Sequence, residues 1–131
     1  MSLVIVKTEI GNFGSVENMC RRLGTDPVVS SDPEVIEGAT KLLFPGVGAF
    51  DPAVDYLNRT GLREALDRQF VAETPVLAIC LGMQLLLERS EEGTLPGLGW
   101  IPGEVRHLRS THGDELRVPH MGWSTIAPVS Y

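Results

Sequence analysis

Residues 74–88 read TPVLAICLGMQLLLE, an uncharged apolar run, Val76 to Ile79, that enters from Thr74 and Pro75 and leaves through Cys80, Leu81 and Gly82. A short, continuously apolar run of this kind is a strand buried on both faces of a parallel sheet. It feeds a helix that starts near Gly82, with Met83, Leu85, Leu86 and Leu87 on its core side. Upstream, Lys41 to Phe44 is a strand that runs into Pro45, Gly46, Val47 and Gly48. Leu62, Ala65, Leu66 and Phe70 then mark an amphipathic helix ending before Thr74.

Further upstream the same cycle occurs twice. Leu3 to Val6 is a strand, and the turn from Gly11 to Gly14 opens a helix at Ser15. Val16, Met19, Cys20 and Leu23 recur there at helical spacing, and Gly24 caps it. Pro27 to Ser30 is a strand followed by a capped helical turn over Asp32 to Gly38, with Pro33 in its first position. Apolar strands alternating with amphipathic helices predict an α/β fold, a doubly wound, mostly parallel sheet with helices on both faces, in a single domain over residues 1–131. Beyond Gly93 the glycines and prolines through Gly103 read as a loop. Val105 to Leu108, Leu116 to Val118 and Trp123 to Ile126 read as short strands of antiparallel character.

Composition narrows the function. Eleven basic against seventeen acidic residues give a formal charge of −6, which argues against a nucleic-acid backbone or an anionic membrane as partner. No apolar run approaches the roughly 20 residues of a membrane span, and no basic segment with a cleavage site opens the chain. Cys20 and Cys80 stand 60 residues apart, outside any disulfide or zinc-ligand spacing. The expectation is a cytoplasmic protein with no metal and no cofactor.

The sharpest chemical feature is Cys80 between a buried strand and a helix, with the small residues Ala78 and Gly82 two positions away on either side. A nucleophile on a strained strand-to-helix turn needs small neighbours, because backbone segments crowd there, and a helix N-terminus behind it favours a thiolate. The same pattern also suits a cysteine that merely ends a buried strand as a small apolar side chain. The glycines of Pro45 to Gly48 end the preceding strand, and ligands bind at such strand ends in doubly wound sheets. Main-chain N–H groups there, with that of Leu81, would suit an oxyanion hole.

These residues carry a resemblance. AICLGMQLLLE (Ala78 to Glu88), PGVGAF (Pro45 to Phe50), GLGWIPG (Gly97 to Gly103) and VPHMGW (Val118 to Trp123) resemble, in order and spacing, the glutaminase subunit of imidazole glycerol phosphate synthase, a class I glutamine amidotransferase of flavodoxin-like architecture. The resemblance implies Cys80 as the nucleophile that attacks the side-chain amide of glutamine. It implies the backbone of Gly48 and Leu81 as oxyanion donors, and Gln84 and Glu92 as the residues holding the substrate. It also implies that Asn12 and Pro119, His120, Met121, Gly122 and Trp123 face a (β/α)₈-barrel synthase that consumes the ammonia in histidine biosynthesis.

The chain departs from the family at two places. Lys7-Thr8-Glu9-Ile10-Gly11-Asn12 stands where the family has a motif resembling DYGMGN, so charge and backbone freedom differ beside the substrate side of the sheet. The related amidotransferase subunits of bacterial surface-sugar biosynthesis are therefore a second reading. The family's catalytic His and Glu lie near its C-terminus, and no His-x-Glu occurs in residues 1–131. The resemblance is thus to the nucleophile-bearing N-terminal portion, with the C-terminal part of the fold missing and apolar sheet surface left open. A non-catalytic interaction module that keeps the VPHMGW face is a further alternative. A cysteine-based redox protein would leave Gln84, Glu92 and that face unexplained.

Overall fold

Four of the apolar runs form parallel strands: β1 (Leu3–Val6), β2 (Val28–Ser30), β3 (Lys41–Gly46) and β4 (Val76–Cys80), in the spatial order β2-β1-β3-β4. The chain winds outward from β1 to β2, then crosses back to β3 and on to β4, so the switch point lies between β1 and β3. The computed structural model describes residues 2–129, and the two ends of the domain expected over 1–131 lie outside them. Register pairs Ile5 with Val29 and Leu43, and Gly46 with Cys80. That last pair sets the ends of β3 and β4 side by side.

Helices cover both faces. On one face, α1 (Phe13–Arg22) packs Cys20, Phe13 and Val16 on Ile5 and Leu43. It begins two residues earlier than the Ser15 expected, because Asn12 is its N-cap and accepts a hydrogen bond from the Ser15 N–H at 3.3 Å. Gly24, at φ +80, follows the cap as the expected helix-ending glycine. The apolar stripe is only half used: Cys20 is buried and Val16 half-buried, while Met19 and Leu23 are exposed.

On the other face Val4, Val6, Leu42 and Phe44 pack against α2 (Pro33–Glu37), α3 (Phe50–Thr60) and α4 (Leu62–Val71). Burial of each large side chain here, such as Phe44, Phe50 or Leu66, contributes about 1.5–3 kcal/mol. Helix α2 has the expected cap, with Asp32 accepting from Glu34 N–H at 3.0 Å and Pro33 at its first position. Gln69 is buried where α4 crosses the end of α2, and its Nε2 donates to the carbonyls of Ile36 and Glu37 at 2.8 and 2.5 Å. Helix α3 was not expected from the sequence. Phe50, Val54 and Leu57 are its buried stripe, and Gly61, at φ +76, ends it and begins α4.

Beyond β4 the chain differs from expectation. The helix near Gly82 is α5 (Leu81–Leu85), five residues long, and Leu87, expected on its core side, instead opens β5 (Leu87–Ser90). β5 pairs in parallel with β6 (Ile101–Val105), so the strand expected at Val105–Leu108 lies earlier and the pairing is not antiparallel. Leu108–His112 is the short helix α6. Residues 116–118 and 123–126 carry no strand and pair with neither edge of the sheet, and 119–129 are exposed throughout.

The expected open apolar surface is present. β4 lies at the edge of the described sheet, with Leu77 62% and Ile79 44% exposed on the same face as α1 but beyond the reach of that helix. No described helix is long and apolar enough to cross a membrane.

Candidate active site

Cys80 ends β4 at φ 56, ψ −120, and its side chain is exposed. A non-glycine residue there carries strain of order 1–3 kcal/mol, which persists only where the surroundings hold it. The surroundings are two glycines. A Cβ on Gly82 would stand 1.9 Å from the Phe44 carbonyl oxygen, and one on Gly46 would stand 2.9 Å from the Gly82 nitrogen. The turn from β4 into α5 therefore lies directly on the backbone of β3, and this contact lifts the thiol above the sheet. The helix behind Cys80, α5, is only five residues long, little more than one turn.

The glycine loop after β3 lies alongside. Gly48 is at φ +104 with open space where a Cβ would be, two residues beyond the register partner of Cys80. Leu81 is buried at the start of α5, and Gln84 is half-buried one turn on, four residues after Cys80. A small cleft at the switch point is lined by Thr8, Glu9, Ile10, Gly48, Pro52 and Tyr56, so the altered loop after β1 borders the same strand ends. Arg59 stands over the Tyr56 ring and pairs with Glu9 at 3.3 Å, tying that loop to α3.

Glu92 is exposed on the loop after β5, and its backbone N–H donates to Ser90 Oγ at 3.1 Å. Sequence reasoning missed how firmly this loop is held. Asp51 in the first turn of α3 accepts from the Thr94 and Leu95 N–H groups and from the Thr94 hydroxyl at 2.9–3.2 Å. Arg63 donates to the carbonyls of Pro96 and Gly97. Trp100 Nε1 donates to Asp67 at 2.8 Å, and its ring stacks on Phe70. On the other side Glu91 accepts from the His107 N–H at 2.6 Å and lies 3.5 Å from Arg106.

The Thr94 and Leu95 N–H groups hold Asp51 below its ordinary 3.8, and the His107 N–H, with Ser110 and Arg106, holds Glu91 below its ordinary 4.5. Both groups bind protons more weakly folded than unfolded. Their contribution to stability is therefore complete above about pH 4.5–5 and declines as pH falls through their folded values. Urea melts between pH 3 and 6 should show an acid loss of stability, shallower in Asp51→Asn. Identical slopes would contradict the assignment.

The segment expected to face a partner splits in two. Asn12 is exposed at the β1 end of the sheet as the cap of α1, while Pro119 to Trp123 lie in the exposed chain after α6, with Met121 and Trp123 presenting large apolar side chains to solvent. His107 and His112 border α6 away from Cys80 in sequence, and no cluster of potential metal ligands occurs among the described residues.

Residues 14–127 match the family described as glutamine amidotransferase class-I. A protein of Bdellovibrio bacteriovorus named imidazole glycerol phosphate synthase subunit HisH is 46% identical over 127 residues, covering 95% of this chain and 62% of that protein. The HisH subunit of a Synechocystis species is 47% identical over 95% of this chain and 58% of its own length, and the HisH 2 subunit of Pseudomonas aeruginosa is 43% identical over 96% and 62%. The chain thus spans about three fifths of these curated relatives. A crystal structure titled glutamine amidotransferase superposes with a TM-score of 0.62 over 76% of this chain and 52% of its own, at 18% identity, a likeness of fold.

Proposed function

This chain belongs to the class-I glutamine amidotransferase family, and on that premise we propose that it carries the nucleophile half of a glutaminase that supplies ammonia to the synthase of imidazole glycerol phosphate. The carrying observation is the exposed Cys80 at positive φ, held above the sheet by Gly46 and Gly82. In this reading the Cys80 thiolate attacks the side-chain amide carbon of glutamine. The N–H groups of Gly48 and Leu81 take the oxyanion of the tetrahedral intermediate. Its collapse breaks the C–N bond, and the leaving nitrogen departs as ammonia after accepting a proton. Water then cleaves the thioester to give glutamate and the free thiol.

Gln84, on the Cys80 side of α5, and Glu92, whose carboxylate has no partner among the described residues and suits an α-ammonium group, hold the substrate. The general base that carries the proton is proposed to come from outside residues 1–131, since no His-x-Glu occurs within them. Ammonia passes to a (β/α)₈-barrel subunit that docks against Asn12 and the Pro119–Trp123 segment. A cytoplasmic setting keeps both free thiols reduced.

The test is ammonia release from glutamine by the full gene product with the barrel subunit. Equal amounts of ammonia and glutamate are expected. Binding to the barrel with no turnover would instead favour a non-catalytic interaction module. Trp123 is the expected anchor of docking, and Trp123→Ala should weaken the complex by about 2 kcal/mol, about 30-fold. An unchanged titration isotherm would place the barrel elsewhere.

A further inference from the structure

We infer that Asp51 is a positioning residue that sets Glu92 relative to the Gly48 loop, so that the substrate's α-ammonium partner and the oxyanion donor are fixed by one carboxylate. The inference rests on the reading of Glu92 as that partner. Asp51 stands three residues after Gly48, in the first turn of the helix that the glycine loop opens. Its two oxygens take the N–H groups of Thr94 and Leu95 and the Thr94 hydroxyl, two and three residues beyond Glu92. Gly93 completes the fit, since a Cβ there would stand 2.0 Å from Asp51 Oδ1. A bulkier residue would push the carboxylate aside.

The other fastenings of the loop act further from Glu92. Arg63 holds Pro96 and Gly97, and Trp100 sits on Asp67 and Phe70, all on the far side of Leu95. Glu91 anchors the near side to the start of the tail, not to the glycine loop. Asp51 is therefore the direct tie between the segment carrying Glu92 and the segment carrying Gly48. A carboxylate accepting charge-assisted bonds from two consecutive main-chain N–H groups fixes both the distance and the orientation of a loop. Substrate-positioning geometry of this kind acts on binding before chemistry.

The probe is 6-diazo-5-oxo-L-norleucine, a glutamine-shaped diazoketone that alkylates the nucleophilic thiol with loss of dinitrogen, with iodoacetamide as a reagent that has no α-ammonium group. Saturable labelling of Cys80 is followed by mass in the full gene product with the barrel subunit, as wild type and as Asp51→Asn, Asp51→Glu, Gly93→Ala and Glu92→Gln. The half-saturating concentration of the diazoketone is expected to rise about tenfold in Asp51→Asn and Gly93→Ala, and to a similar degree in Glu92→Gln. The iodoacetamide rate of Asp51→Asn and Gly93→Ala should stay within about twofold of wild type, and Asp51→Glu should recover part of the diazoketone affinity. Circular dichroism checks that each variant is folded, and Gly93→Ala disturbs the contact while leaving the carboxylate intact. If Glu92→Gln loses affinity while Asp51→Asn and Gly93→Ala do not, the positioning role is wrong and the glutaminase reading stands. If the wild type shows no saturation, the glutaminase reading fails and the inference goes with it.

Discussion

Gly82→Ala is expected to leave little folded protein. The added methyl would lie 1.9 Å from the Phe44 carbonyl oxygen and 2.8 Å from its carbon, against the backbone of a strand whose side chains at Leu42, Leu43 and Phe44 are buried. Backbone cannot rotate out of the way as a side-chain tip does, so β3 and β4 must separate or the turn at Cys80 must open. Overpacking of this severity costs about 3–5 kcal/mol, a large share of the 5–15 kcal/mol that holds a typical domain. Gly14→Ala is the matched control. It lies in α1 with open space around it, and there alanine should add up to about 1 kcal/mol through helix propensity. Urea denaturation of both variants checks the contrast. A Gly82→Ala protein as stable as wild type would mean that α5 does not rest on β3.

Replacing Cys80 should have the largest effect on chemistry. With alanine there, ammonia release in the full gene product is expected to fall by at least about 10⁴-fold, because the residues of a nucleophilic unit act together and the remaining donors have no intermediate to hold. Cys20→Ala should retain activity, since that thiol is buried under α1 against Ile5 and Leu43. Stability moves in the opposite direction at position 80. Glycine accepts φ 56 without strain, so Cys80→Gly should raise stability by about 1 kcal/mol while abolishing turnover. Thermal melts beside the activity assay separate the two effects, and a Cys80→Gly protein less stable than wild type would remove the strain argument.

The first half of the fold was legible because its strands are short unbroken apolar runs and its breaks fall at glycine or proline. β1 and α2 lie where the sequence puts them, and β3 runs two residues further because Pro45 and Gly46 continue its pairing with β4. Helix α3 was given no reading although Phe50, Val54 and Leu57 have helical spacing, and its Pro52 stands in the first turn, where a proline disturbs no helical hydrogen bond. After β4 the local signal misled. Leu85, Leu86 and Leu87 look like one helical face, yet α5 stops at Leu85 and Leu87 pairs with Ile101. Apolar residues in Trp123–Ile126 resemble a strand, but a strand needs an edge to pair with, a long-range property that no local pattern carries. In the site, Cys80 stood out through its small neighbours. Asp51 did not, because its partners lie more than 40 residues away and an acid in a first helical turn is commonplace.

If Cys80 is a nucleophile placed to receive glutamine, a glutamine-shaped reagent reaches it first. The most direct measurement is peptide mass mapping of the protein after brief exposure to the glutamine-shaped diazoketone, with and without excess glutamine. One adduct per chain is expected, on Cys80 and not Cys20, suppressed by glutamine. Equal or slow labelling of both thiols, indifferent to glutamine, would contradict that role and leave Cys80 as an exposed cysteine at the end of a strand.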